Sequence, residues 1–197
     1  MQETLSALSS ASRVLPRETG YASLWTAFPN FIFHSSVILK IGAIVQPLFS
    51  AFGDESLFVR LDNAGTRVVI TQKKHLGKVR KIRSSLPALE FVIIVDNVRT
   101  ADLEPGEILF SLEDTEPVER FEISPTRAET HSLLHYTSGT TGQPKGVKHV
   151  HYSIMSQYLT TKWVLDLRDD DIYWCTADPG WVTGTSIRNN RARGASG

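Results

Sequence analysis

One cysteine, Cys175, in 197 residues leaves no partner for an internal disulfide, and its place in an apolar run fits a reducing compartment. Charge of neither sign prevails. The 21 Lys and Arg balance 21 Asp and Glu, so no global field draws the chain toward nucleic acid or an anionic lipid surface. No uninterrupted apolar run has the length that crosses a bilayer. The opening MQETLSALSSASRVLPRE is Ser-rich, carries Glu3 and lacks the apolar stretch of a secretory signal. A cytoplasmic location is the expectation that follows. Two familiar nucleotide fingerprints are also missing: there is no G-x-G-x-x-G, and Lys145 follows Pro144 where a P-loop requires glycine.

What the chain does have is a βαβαβ rhythm after residue 40. Ala43 to Phe49 reads as a buried strand. Asp54 offers a cap for a helix that sets Leu57, Phe58 and Leu61 on one face and ends near Gly65. Val68 to Thr71 is the next strand. Lys74 to Leu86 follows as a helix with Leu76, Val79, Ile82 and Leu86 on one stripe, closed by Pro87, and Phe91 to Val95 is a third strand. Near-continuous apolar strands alternating with helices predict an α/β fold, a mostly parallel sheet covered by helices. Residues 97–130 are punctuated by Pro105-Gly106 and Pro117 and read as an irregular connection. Val150 to Leu165 is predicted helical, and Ile172 to Thr176 a strand.

Tyr136 to Val147 reads YTSGTTGQPKGV, with five hydroxyl side chains, three glycines and a lysine. Gly139, Gly142 and Gly146 let N–H groups approach an anion that a Cβ would hold off. Ser138, Thr140 and Thr141 add hydroxyl donors and Lys145 a mobile positive charge. Each charge-assisted hydrogen bond to a phosphate oxygen contributes roughly 1.5–3 kcal/mol, so three or four could hold a triphosphate. The run resembles the signature loop of the adenylate-forming superfamily, which includes acyl-CoA synthetases, luciferases and the adenylation domains of peptide synthetases. The resemblance implies that Thr137, Ser138, Gly139, Thr140, Thr141, Gly142 and Lys145 grip the phosphates of ATP while a carboxylate attacks the α-phosphate, Lys145 acting in catalysis.

Thr176 to Ser186, TADPGWVTGTS, follows the aromatic run Ile172-Tyr173-Trp174 and turns at Pro179-Gly180. It is similar to the acetyl-CoA synthetase branch, as is Leu39 to Gly53, LKIGAIVQPLFSAFG. The likeness implies that Val182 and Thr183, with Trp181 beside them, line an acyl pocket, whose wall sorts chain length by roughly 1–3 kcal/mol per methylene. Leu39 to Gly53 has no titratable catalytic group and is assigned to packing. Lys73, Lys74, Lys78, Arg80, Lys81 and Arg83 crowd one helix without interleaved aromatics, which reads as a solvated surface. The pairs His131/His135 and His149/His151 lack nearby thiolates or carboxylates that would complete a zinc site. Asp169-Asp170-Asp171 lacks the Gly and Glu of a calcium loop.

The resemblance runs from about Val37 to Ser186. Residues 1–36 match poorly, residues 37–186 correspond to part of an AMP-binding domain, and residues 187–197 diverge. It implies small-molecule substrates: ATP, CoA, and acetate or another short-chain acid, with magnesium held by residues outside this chain. A ligase for an aryl acid, acyl transfer to a carrier-protein thiol, and an inactive product that keeps only the phosphate loop remain open at this point. The family's magnesium glutamate, ribose aspartate and cap lysine have no counterpart here. The expectation is therefore a fragment of the N-terminal domain that is inactive alone, its reading frame shifted or ended early near Ser186.

Overall fold

The computed structural model describes residues 20–25 (backbone only), 35–95, 102–110, 122–138, 142–168, 171, 175–178 and 180–185. Among these residues seven strands form one sheet: β1 (Gly20–Trp25), β2 (Ile44–Phe49), β3 (Val68–Thr71), β4 (Phe91–Ile94), β5 (Glu107–Leu109), β6 (His131–Thr137) and β7 (Lys145–Val150). Their order is β5-β4-β3-β1-β2-β6-β7. All neighbours are parallel except β6 and β7, which pair antiparallel.

The strand alternation sorts side chains to two cores. Leu48, Val69, Val92 and Ile94 face Leu57 and Leu61 of α1 (Asp54–Ala64) and Leu76, Val79 and Ile82 of α2 (Lys73–Arg83). Val45, Val68, Ile70 and Ile93 face the opposite way, against Ile38 and Ile41 from the helical residues 35–40 and the turn after them. The predicted parallel sheet with helices on it is thus present, and β3 occupies the predicted residues.

Several boundaries differ from the sequence expectation for local reasons. The N-cap of α1 is Gly53, and no side chain caps the helix. Asp54 is already the first helical residue, where its charge favours the helix dipole, and its carboxylate lies 3.2 Å from Lys81. The helix ends as expected at Gly65, in the left-handed region at φ 58°, with Thr66 N–H donating back to Leu61 O at 3.0 Å. α2 stops at Arg83 and not at Leu86, because Pro87 disfavours helical backbone at the residue before it. Leu86 is still buried, through a turn.

Residues 97–130 were expected to be irregular, yet they contain β5. This short edge strand follows the left-handed Gly106 (φ 76°), and its Glu107 carboxylate is fully covered and takes both arms of Arg80 at 2.8 and 2.7 Å. Those hydrogen bonds hold the Glu107 carboxyl below its ordinary range, against the opposing effect of its burial. β7 was also unforeseen: its sequence KGVKHV is exposed along most of its length and has no apolar alternation, so only pairing with β6 makes it a strand. The following helix, α3 (Ser153–Val164), therefore begins after Val150. Of the strand expected over Ile172 to Thr176, residues 172–174 lie outside the described residues, and Cys175 and Thr176 are not in a strand.

Candidate functional site

β2 and β6 are neighbours, with Val45 level with Leu133. Each strand ends four residues further on, β2 at Phe49 and β6 at Thr137. From β2 the chain returns past β1 toward β3, and from β6 it turns outward into β7. Adjacent parallel strands whose chains leave in opposite directions open a gap at their carboxyl ends, the usual ligand position in open α/β sheets.

The glycine-rich run sits on this edge as the turn of the β6–β7 hairpin. Thr137 ends β6 directly opposite Lys145, which begins β7. Thr137, Ser138, Gly142 and Lys145 are all exposed, and Gly142 takes φ 82°. Among the described residues nothing lies within 4 Å of the Cβ position at Gly142, so what favours glycine there is its left-handed backbone. At Gly146 the need is space: an added Cβ would meet Leu134 at 3.1 Å and the Tyr136 ring at 3.3 Å. Gly139, Thr140 and Thr141, assigned to the same loop, lie outside the described residues.

The hairpin's base is pinned to α1. Tyr136 Oη donates to Asn63 Oδ1 at 2.8 Å, and the Arg60 guanidinium lies 4.1 Å from the Phe52 ring centroid and 6.0 Å from that of Tyr136. Burial raises the Tyr136 phenol above its ordinary range and lowers the Arg60 guanidinium. Arg60 is itself fixed by the fully buried Gln46 of β2, whose Nε2 donates to Arg60 O at 3.1 Å while its Oε1 accepts from Thr66 Oγ1 at 2.6 Å. None of Asn63, Arg60 and Gln46 carried a sequence signal, because their partners lie a strand or a helix away.

The second segment docks on the end of β2. Asp178 Oδ2 accepts from Ser50 Oγ at 3.1 Å, its Oδ1 accepts from Gly180 N–H at 2.7 Å, and its carbonyl accepts from Trp181 N–H at 2.9 Å. This is an Asx turn, a geometry that the sequence Asp-Pro-Gly favours. Gly180 lies so close to the backbone of Leu48 and Phe49 that any Cβ would overlap it, and Gly184 packs equally tightly on the Asp178 carbonyl. The Trp181 ring lies 5.5 Å from the Phe49 ring, centroid to centroid, with an exposed fraction of 54 %. Trp181, Val182 and Thr183 therefore hang from the end of β2 with open surface, while Thr137 and Lys145 stand at the end of the adjoining strand.

His135, one turn of the pleat before Thr137, is buried at 2 % exposure, and its ring meets His149 edge-on at 6.1 Å. Its Nε2 has no hydrogen-bond partner among the described residues. Burial first, and the neighbouring His149 second, hold its pKa down from 6.5 to about 4. The folded chain therefore keeps His135 neutral while the unfolded chain takes up a proton below about pH 6.5, so stability is lost as pH falls from 6.5 toward 4. The full loss is roughly 3 kcal/mol. Urea unfolding at pH 7 and pH 4.5 should show His135→Leu losing less stability than the parent over that interval; equal losses would assign the acid sensitivity to other groups.

The profile of the AMP-binding enzyme family matches residues 29–189, and the chain belongs to that family of adenylate-forming ligases. It is 43 % identical over 159 residues to the acetyl-coenzyme A synthetase of Bacillus subtilis (strain 168), covering 80 % of this chain and 27 % of the relative. To the acetyl-coenzyme A synthetase of Pyrobaculum arsenaticum it is 38 % identical over 167 residues, 75 % of this chain and 24 % of the relative. The chain thus spans about a quarter of the length of these curated relatives. Among solved structures, an acyl-CoA synthetase from Brucella canis superposes with TM-score 0.80 at 25 % identity, over 94 % of this chain and 33 % of that one. An anthranilate CoA ligase in complex with anthranoyl-AMP superposes with TM-score 0.78 at 23 % identity, over 96 % of this chain and 36 % of that one, a likeness of fold. Among the described residues no helix is long and apolar enough to cross a membrane.

Proposed function

We propose that this chain carries the phosphate-gripping and acyl-bordering part of an acetate–CoA ligase. In that reaction an acetate oxygen attacks the α-phosphorus of ATP and pyrophosphate leaves. The CoA thiol then attacks the acetyl carbonyl, giving acetyl-CoA and AMP. The observation that supports the reading is that the two motif segments lie at the carboxyl ends of neighbouring strands, one following β6 and rich in anion donors, the other docked on the end of β2 with exposed apolar side chains.

A carboxylate approaching a triphosphate meets strong repulsion, so the site must place positive charge and N–H or O–H donors where negative charge grows on the leaving pyrophosphate. Lys145 supplies the charge, and Thr137, Ser138, Gly139, Thr140, Thr141 and Gly142 supply hydroxyl and backbone donors. Magnesium bound to the nucleotide would share in that neutralisation. Trp181, Val182 and Thr183 border the acyl group and favour a short one. The test is acetate-dependent exchange of labelled pyrophosphate into ATP, in a chimera that continues this chain with the remaining sequence of the Bacillus subtilis relative. Exchange supported by acetate and much less by butyrate or benzoate is expected; exchange indifferent to the acid would refute the acyl assignment.

A further inference from the structure

The stretch Leu39 to Gly53 has no titratable catalytic group, yet its last residues are the seat on which the Trp181 turn rests. Ser50 is 7 % exposed, and its hydroxyl donates to Asp178 Oδ2 at 3.1 Å. Asp178 spends its other carboxylate oxygen on Gly180 N–H at 2.7 Å, which folds the chain back so that Gly180 lies against Leu48 and Phe49. The seat is held from behind by α2. Lys78 Nζ donates to Ser50 O at 3.1 Å and to Phe52 O at 2.9 Å, fixing the turn that follows β2. A continuous set of contacts therefore runs from Lys78 through Ser50 and Asp178 to Gly180 and Trp181.

We propose that Ser50, acting through Asp178, is a positioning residue that sets where Trp181, Val182 and Thr183 stand, and so sets acid-length selectivity from outside the pocket. The role in selectivity rests on the acyl reading given above; the placement of Trp181 does not. Without the hydroxyl, one carboxylate oxygen of Asp178 loses its contact with the residue that follows β2, and the turn is held there less firmly, by the close fit of Gly180 and the Phe49–Trp181 ring contact among the described residues. The wall then moves outward, and longer acids gain room. Ser50 lies in neither the phosphate loop nor the Trp181 segment, so nucleotide binding at the loop should be unaffected.

The experiment uses the 197-residue chain labelled with 5-fluorotryptophan, the Trp181 resonance being assigned with Trp181→Phe. Ser50→Ala is expected to shift and broaden the Trp181 signal while the Trp163 signal stays in place, and Ser50→Thr, which restores the hydroxyl, should return it. Asp178→Asn serves as an independent variant if Ser50→Ala unfolds, and should move the same signal. A Trp181 signal unchanged by Ser50→Ala or Asp178→Asn in folded protein overturns the proposal. Binding of ethyl and butyl esters of AMP to the same proteins reads selectivity. The parent should favour the ethyl ester, and Ser50→Ala should narrow that preference roughly three- to tenfold, as expected for loss of about one hydrogen bond's worth of positioning. A preference kept intact in Ser50→Ala overturns the selectivity role. A parent without any preference, with Trp181 still displaced by Ser50→Ala, upholds the placement and defeats the acyl reading instead.

Discussion

Replacing Lys145 with alanine should lower acetate-dependent pyrophosphate exchange in the chimera by about tenfold to a hundredfold. The figure follows from loss of one charge-assisted hydrogen bond, roughly 1.5–3 kcal/mol. Lys145 begins β7 opposite Thr137, exposed on the hairpin that carries Gly142 at φ 82°. Among the described residues its side chain is exposed and not packed into the fold. The contact strengthens as charge develops on the leaving pyrophosphate, so the loss should fall on turnover more than on ATP affinity. Stability should change little, because an exposed side chain at a hairpin edge has few neighbours to lose. Lys145→Arg should not restore the rate, since a planar fork replaces a compact charge. Unchanged exchange in Lys145→Ala would remove this residue from the mechanism.

Gly180→Ala should be the more disruptive change at the other segment. A Cβ at Gly180 would overlap the backbone of Leu48 and Phe49, at the end of a strand flanked on both sides by others. Flexible side chains could yield; strand backbone cannot. The turn must lift away, with a cost of roughly 1–3 kcal/mol, as for other overpacked sites, and Trp181 is carried off its contact with Phe49. Calorimetry of the chain should show a lowered unfolding temperature, and the chimera should lose discrimination between acetate and butyrate while ATP-dependent binding at the loop persists. Gly142→Ala is the instructive contrast. No described residue lies within 4 Å of its Cβ position but its backbone is left-handed, so its penalty comes from conformation and should fall on the phosphate loop alone. Should Gly180→Ala leave stability and acid discrimination as they were, the seat on β2 would be contradicted.

The core strands and the two helices on them were legible because their apolar positions repeat with helix or strand spacing: Leu57 and Leu61, Leu76, Val79 and Ile82, and the runs VVIT and FVII are local signals. β5 and β7 were not, since one is three residues with a buried charge at its start and the other is a polar strand formed only by its partner. β1 lies between β3 and β2 although its sequence gave no strand expectation. The same division holds at the site. The glycine-rich run stands out by its composition and the Gly-Trp-Val-Thr stretch by its likeness to the acetyl-CoA synthetase branch, whereas Ser50, Asn63 and Arg60 act on residues separated from them by 128, 73 and 76 positions, the last between Arg60 and Tyr136. Asp178 came closest to being legible: its Asp-Pro-Gly context marks a turn, but the strand onto which it folds is visible only in three dimensions.

The central claim is that the hairpin turn and the Trp181 segment form one site at the ends of β2 and β6. It is tested most directly by titrating the isotopically labelled chain with ATP in the presence and absence of acetate, following the Gly142 and Lys145 amides and the Trp181 indole together. With acetate present, both sets of signals should move with a single dissociation constant, and Trp181 should respond much less to ATP alone. Loop amides that ignore ATP, or loop and indole signals that titrate independently with acetate present, would contradict it.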